Sequence, residues 1–515
     1  MPTSGVPRRT VLAATAATAA LTATGLASPA ARAATAAVPD LPDGTSRDKV
    51  LVVGMDGVRH DLIDAADTPR LRAMRAAGTF GASLLYSGPM AATSSGPGWS
   101  TISTGVWPDK HGVRDNSFAG RDYGRYPGFL ARLHQVRPQL SLFAAVDWKP
   151  LDTYGTVTAG ADAALVLDGD RDGYVAHDET ITATTEAVLR DRNPDVAFVY
   201  LGNTDVVAHA SGTGSRFLQA LAVQDRQLGR MLDAVEARPT RADERWTVIV
   251  CTDHGHVDRG GHGGSSIPER MTFVLATGPG IEAGARPHDT RLVDVAATVF
   301  HQLGIDPDPS WGLDGRPLQQ RSADPFDSLV GSLAGRVDET GIPAGVLGHT
   351  HTPPAGWSVA DNAMGTGGVA EWRGWSFTTD EFWSRTHRDQ WRELNVRSRG
   401  VFAVADSDEW DDKANSGRFD STLVTPAHNV AGASRVTLDY TTHYRQESGQ
   451  AARVLASFNG GTPSVVREYT ADAVSRPESL ALDVPAGAST VAFHFHYTGR
   501  NNWYWVLDDV RVGAR

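Results

Sequence analysis

Six acidic and imidazole side chains of this chain fall just after short apolar runs. Asp56 follows Leu51 to Val53, Asp205 and His209 follow Val196 to Leu201, and Asp253, His254 and His256 follow Trp246 to Cys251. Each run is continuous and rich in β-branched residues, the pattern of a buried strand. In an open parallel sheet the carboxyl ends of the strands share one edge, where ligands bind. Residues far apart in sequence then converge there. Carboxylates and imidazoles without thiolates suit zinc or a similar divalent ion. Singly, each reads as a structural residue at a strand end; their coincidence points to a metal centre.

That chemistry needs a sheet to position it. Leu142 to Val146 and Thr272 to Leu275 read as two further buried strands, with helical patterns between the runs. Thr68-Pro69 opens a helix to Ala77 that Gly78 closes. Phe217, Leu221, Leu228, Leu232 and Val235 share one face of a longer helix, and Leu292 to Leu303 form another, stopped by Gly304. Alternating strands and helices predict an α/β domain over residues 34–322, a parallel-rich sheet with helices on both faces. Residues 323–370, dominated by Gly, Pro, Thr and Ala between 341 and 368, predict a linker or an irregular packed strap. Strict alternation then appears in Val436 to Tyr440, Val491 to Tyr497 and Val510 to Val512, with a turn at Asn459-Gly460-Gly461. Residues 371–515 therefore predict an all-β sandwich whose tryptophans are mostly core.

The 515 residues are too many for one ordinary core. With 60 Asp and Glu against 48 Lys and Arg, the formal charge of −12 gives no reason to bind duplex nucleic acid. A phosphate substrate stays compatible, because a bound metal reverses the local field. Residues 1–33 read as an export signal: Arg8-Arg9, an Ala- and Thr-rich run from Val11 to Leu26, then a small-x-small site at Ala31-Arg32-Ala33. Twin arginines resemble the signal of the twin-arginine route, so the mature protein is expected outside the cytoplasm, without a transmembrane segment. Cys251 is the single cysteine, which excludes an internal disulfide and reads as a buried thiol.

Four ordered stretches resemble motifs of the alkaline phosphatase superfamily, and best its phosphodiesterase/nucleotide pyrophosphatase branch. They are Val53 to Gly57, Ser95 to Gly112, Asp205 to His209, and Thr252 to Gly255. The resemblance implies an alkaline-phosphatase-like fold and a nucleophile nine residues before the Thr of a Thr-Gly pair and two before a Pro. That rule selects Ser95 over Thr93 and Ser94, given Pro97 and Thr104-Gly105. It also implies two Zn2+ ions, one held by Asp56, Ser95, Asp253 and His254, the other by Asp205, His209 and one further His. The family places that last His much farther downstream. Here His262, flanked by glycines in Gly260 to Gly264, is the choice, with His256, His349 and His351 as alternatives. Asn116 falls where the family places an amide on the phosphoryl oxygen. The implied reaction is attack of Ser95 on phosphorus, then hydrolysis of the covalent intermediate. The implied partner is a small phosphate ester, a nucleotide among the choices, selected by loops such as Arg121 to Phe129 and Gly169 to His177.

Other readings compete. A sulfatase wants Arg four residues after the nucleophile, where Trp99 stands. A phosphomonoesterase would use the same core with an extra cation, Lys110 or Lys149. A diester instead offers a group to stack on Trp99, Trp107 or Trp148. From another class comes a binding protein with an inactive α/β domain: Asn501 to Val510 resembles the last strands of jelly-roll modules, which bind carbohydrates or surfaces. Asp508 and Asp509 read there as surface turn acids or as ligands of a structural calcium. The complete metal-ligand set favours the enzyme.

Overall fold

The computed structural model describes residues 40–85, 90–320, 324–361, 363–387 and 390–515. The export signal expected at residues 1–33 lies outside them. The described residues belong to one compact unit. Among the described residues no helix is long and apolar enough to cross a membrane.

Seven strands build the first sheet: β1 (Asp48–Met55), β2 (Thr79–Leu84), β3 (Leu142–Val146), β4 (Ala163–Val166), β5 (Val196–Leu201), β6 (Arg245–Cys251) and β7 (Met271–Thr277). Their order is β2-β7-β6-β1-β5-β3-β4. β1 is parallel to both neighbours, with Val53 opposite Val199 of β5 and Val250 of β6. Alternate residues of β1 serve opposite cores. Leu51 and Val53 pack with Phe217, Leu221 and Leu228 of the helix Ser215–Glu236. Val50 and Val52 face Trp99 and Ile102 of the helix Ser95–Thr104 and Val295 and Val299 of the helix Asp294–Gln302. The sheet is therefore covered on both sides, which explains why its strands are continuous apolar runs.

The sheet is mixed at one edge. β7 runs antiparallel to β6, and β2 antiparallel to β7, so Thr272 to Leu275 lies in an antiparallel strand. A parallel return needs a crossover of a dozen or more residues, usually a helix. Between β6 and β7 the only helix is the four-residue Ile267–Arg270, and the connection is spent on the histidine loop described below.

Beyond residue 324 the described residues form a short two-stranded sheet, Thr366–Gly367 with Asn415–Ser416, and two six-stranded antiparallel sheets. One orders the strands Ala473–Asp483, Arg435–Tyr444, Tyr504–Ala514, Val401–Asp406, Trp375–Thr379 and His349–Thr350. The other runs through Ser464–Tyr469, Ala451–Phe458, Thr490–Gly499, Phe419–Val424 and Ser358–Ala360. Their inner faces share one core, in which Phe495 lies 5.5 Å from Tyr440 and 5.9 Å from Trp505 between ring centroids. Trp372, Trp375, Trp383, Trp410 and Trp505 are all fully buried there.

Of the two readings of residues 323–370, the described residues 324–361 and 363–370 fit the packed strap. They supply an edge strand to each sheet, and Asp327 accepts a bond of 2.9 Å from the Val401 amide. Edge strands of two or three residues carry too few side chains to show a period. Asp508 is not a surface turn acid either: it is 2% exposed, and its Oδ2 accepts the Arg399 amide at 2.6 Å. Asp509 pairs with Arg316 and Arg511.

Buried arginines fasten the sandwich to the α/β layers. Arg399 reaches both oxygens of Asp294 at 2.9 and 3.1 Å and the Asp314 carbonyl at 2.9 Å. Arg397 bridges Asp109 and Asp314 at 2.7 and 3.2 Å. Replacing Arg399 by Ala leaves Asp294 buried without its cation, an expected loss of about 3–5 kcal/mol, read as a lower urea midpoint in tryptophan fluorescence. Arg453, whose pairing with Glu468 is exposed, is expected to shift the same midpoint by less than about 1 kcal/mol when replaced by Ala. Equal shifts would contradict this account of the interface.

Candidate metal centre

The carboxyl ends of three adjacent strands supply the site. Asp56 lies immediately beyond β1, and its Oδ2 accepts the Tyr200 hydroxyl at 2.6 Å and the Trp99 indole N–H at 3.0 Å. Its Oδ1 is buried without a hydrogen-bond partner. Asp253, beyond β6, is arranged alike: Oδ1 accepts the Gly57 amide at 3.3 Å and Oδ2 is buried and unpaired. A buried carboxylate oxygen with no donor is costly unless a cation meets it. Asp205 and His209 come from the helix Asn203–Ser211 after β5, where four-residue spacing stacks them on one face, 3.5 Å apart. The Thr204 hydroxyl ties that helix to the Asp56 carbonyl at 2.6 Å.

Ser95 opens the helix Ser95–Thr104 and is 6% exposed. Its Oγ lies 3.2 Å from His254 Nε2, which is 3.5 Å from Asp56 Oδ1 and 3.4 Å from Asp253 Oδ2. Asn116 is fixed by chemistry: the Gly96 amide at 2.7 Å needs an acceptor, so Oδ1 faces it, accepts the Ser94 hydroxyl at 3.0 Å as well, and leaves the NH2 to donate. Ser95 and Asn116 line one pocket with Asp205, His209 and His262.

Two of the four histidines named for the last position reach this cluster. His256 Nε2 lies 2.8 Å from Asp205 Oδ1. His262 Nε2 lies 2.9 Å from His209 Nε2 and 3.7 Å from Asp205 Oδ1. His349 and His351 sit in the sandwich, bonded to the carbonyls of Gly335 and Glu371, and are no part of the site. Gly57, at φ +68°, makes the convergence feasible: a Cβ there would stand 2.6 Å from His256 Nε2.

The ring nitrogens differ in a telling way. His254 donates Nδ1–H to the Gly255 carbonyl at 3.1 Å, and His262 donates to the Thr93 carbonyl at 2.7 Å. That tautomer leaves each Nε2 lone pair facing the cluster, the usual state of a metal-ligating histidine. The Nδ1 of His256 is buried on the side of Gly261 and makes no comparably close bond. Thr93 also clamps the glycine-rich loop, its hydroxyl accepting the Gly263 amide at 3.0 Å and donating to the Gly264 carbonyl at 2.9 Å.

Burial, then the charge of Asp205, lifts Asp56 to about 7. Burial raises Asp205 to about 6 and Asp253 well above the usual carboxylate range. It depresses His254 strongly, His256 to about 4, and His262 as well. Neutral imidazoles are already in the ligand form, while carboxyls this buried ionise readily only beside cations. The donor set and its unpaired oxygens fit divalent ions.

Several assignments change with the side chains in view. Trp99 is fully buried against Phe198 and Tyr200 and serves Asp56, and Trp107 is also buried, so neither stacks on a substrate. Trp148 alone of the three lines the pocket. Lys110 is committed to Asp314 and the Gly312 carbonyl, and Lys149 to Asp168. Of the two loops expected to select substrate, 169–177 lines the pocket through Asp170 and Tyr174. In the other, the Tyr123 hydroxyl bonds Ser100 and Thr156. Tyr200 was not singled out from sequence, although a tyrosine inside a buried apolar run needs a partner for its hydroxyl.

The profile of the family described as type I phosphodiesterase / nucleotide pyrophosphatase matches residues 50–263. The chain is 29% identical over 181 residues to the 2,3-bisphosphoglycerate-independent phosphoglycerate mutase of Streptomyces coelicolor, covering 32% of this chain and 33% of that protein. It is 26% identical over 160 residues to the human GPI ethanolamine phosphate transferase 2 catalytic subunit, covering 29% of this chain and 16% of that one. The chain thus spans a third or less of these curated relatives. Among solved structures, inactive murine ectonucleotide pyrophosphatase/phosphodiesterase 5 in complex with AMP aligns at a TM-score of 0.39 and 14% identity, over 50% of this chain and 96% of that one. Residues 50–263, which hold every side chain of the cluster, match the type I phosphodiesterase / nucleotide pyrophosphatase family of the alkaline phosphatase superfamily.

Proposed function

We propose that this protein is an exported, zinc-dependent phosphodiesterase that works through a covalent intermediate on Ser95. The observation that carries this reading is the pair of buried, unpaired oxygens, Asp56 Oδ1 and Asp253 Oδ2, gathered with His254 Nε2 beside the Ser95 hydroxyl. Asp56, Ser95, Asp253 and His254 would hold one ion, and Asp205, His209 and His262 the other. His262 is preferred to His256 because its Nδ1–H is already spent on a carbonyl. Export rests on Arg8-Arg9 and the apolar run that follows.

When bound, the ions supply Lewis acidity that lowers the serine pKa and offsets charge on the phosphoryl oxygens. The chain does the rest. Ser95, on the first turn of its helix, presents Oγ where the helix N-terminus favours negative charge. The Oγ–P bond forms as one ester P–O bond breaks, and the departing alcohol takes up a proton. Water then adds to phosphorus, releasing a phosphomonoester and restoring the Ser95 hydroxyl. Asn116 donates its NH2 to a phosphoryl oxygen throughout. A diester is favoured over a monoester because neither Lys110 nor Lys149 lines the pocket, whereas Trp148 does.

Hydrolysis of bis-p-nitrophenyl phosphate tests this. Ser95→Ala is expected to lower kcat by on the order of 10³-fold or more, and chelation to abolish turnover until zinc is restored. Wild-type rates in either preparation would contradict the reading. A second comparison separates the histidines by zinc content: His262→Ala is expected to retain one ion per chain. His256→Ala is expected to retain both, with affinity lowered about 10–100-fold. The reverse pattern would assign the ligand to His256.

A further inference from the structure

Against the start of the helix Asn203–Ser211, which carries Asp205 and His209, lies a buried polar cluster. Asp147, Asp178, Thr204 and Gln224 are each exposed by 1% or less. Asp147 follows β3, Asp178 comes from the helix Tyr174–Asp191, and Gln224 from the helix Ser215–Glu236. Asp178 Oδ1 accepts the Gly202 amide at 3.0 Å; Oδ2 accepts the Asn203 amide at 3.4 Å and the Gln224 NH2 at 2.9 Å. Amides at a helix start have no partner within the helix, so Asp178 is what meets them. Gln224 Oε1 in turn faces the Thr204 hydroxyl at 3.0 Å. Neither oxygen of Asp147 meets an N–H or a hydroxyl; its side-chain partner is the Asp178 carboxylate. Two carboxyls bond only through a proton. Burial, then the charge of Asp178, raises Asp147 well above the usual carboxylate range, while the donors around Asp178 offset part of its own rise. Asp147 therefore keeps the proton and donates it to Asp178.

A buried carboxylate met by dipoles instead of a cation is a poor source of stability. Its geometry does something else. Asp178 fixes the first turn of the helix, two residues before Asp205 and one turn before His209. Asp56, Asp253 and His254 are held by other partners: Tyr200 and Trp99, the Gly57 amide, and the Gly255 carbonyl. Building on the two-ion reading, we propose that Asp178, oriented by Asp147, is a positioning residue for the second ion alone, setting the helix so that Asp205 and His209 aim at one point.

Zinc titration of the full chain against a chromophoric chelator tests this, because it reads both affinities without turnover. Asp178→Asn is nearly isosteric and removes a buried charge, yet it turns an NH2 towards donors that need an acceptor. It is expected to weaken one ion about 10–100-fold and leave the other unchanged. In the His262→Ala background, which is expected to hold only the first ion, it is expected to change nothing. Asp147→Asn still donates to Asp178 and is expected to keep both wild-type affinities, whereas Asp147→Ala is expected to weaken the second ion as Asp178→Asn does. Both ions weakened alike, a second ion unweakened in Asp178→Asn, or Asn and Ala equivalent at position 147 would each overturn the role and leave the metal centre intact. The Asp147 comparison decides the matter even where Asp178→Asn does not fold. Wild type that binds no zinc would overturn the metal centre itself, and this role with it.

Discussion

Asp56 and Asp253 each keep one carboxylate oxygen buried and unpaired, at 1% and 0% exposure, and much of the architecture serves that arrangement. Each has its other oxygen committed to fixed donors: Tyr200 and Trp99 for Asp56, the Gly57 amide for Asp253. Burial first, then the charge of Asp205, raises Asp56, and burial followed by Asp56 and Asp205 raises Asp253. Divalent ions would remove the conflict, and the neutral histidines around them would complete the donor set. The acidic chain would thereby gain a local positive field where its overall charge offers none.

Holding such a cluster needs a rigid frame, and the sheet supplies it. β1, β5 and β6 are adjacent and parallel, so their carboxyl ends lie side by side. Trp99 links the helix that Ser95 opens to that edge in one side chain: its indole covers Gly54, where a Cβ would come within 2.3 Å of the ring, and its N–H reaches Asp56. The switch to antiparallel pairing after β6 is part of the same design. It frees the segment 252–270 from crossing the sheet and lets Thr93 hold the histidine loop against the segment leading to Ser95.

Much of this was legible from sequence because buried parallel strands are uninterrupted apolar runs. Leu142 to Val146 and Val196 to Leu201 coincide with β3 and β5, and the helix from Pro69 to Ala77 has the expected limits. Pairing direction was not legible, since hydropathy records burial and not which way a neighbour runs; β7 was therefore placed in a parallel sheet. The edge strands inside 323–370 were hidden by their shortness. The flanking glycines favoured His262 with His256 as an alternative, but the bond from His262 Nδ1 to the Thr93 carbonyl appears only in three dimensions. Trp99 looked available for stacking because a tryptophan's partners cannot be read from its neighbours in sequence. Asp170 lay inside a loop flagged for selectivity, yet its orientation by Tyr174 appears only in three dimensions.

The central claim is that the two unpaired oxygens meet one ion of a two-ion centre. Crystals of zinc-loaded protein, with anomalous scattering recorded on both sides of the zinc edge, address it directly. The account predicts two edge-dependent peaks, one among Asp56, Asp253 and His254 beside Ser95, the other among Asp205, His209 and His262. No peak at Asp56 and Asp253, in protein that keeps their side chains buried as described, would contradict it.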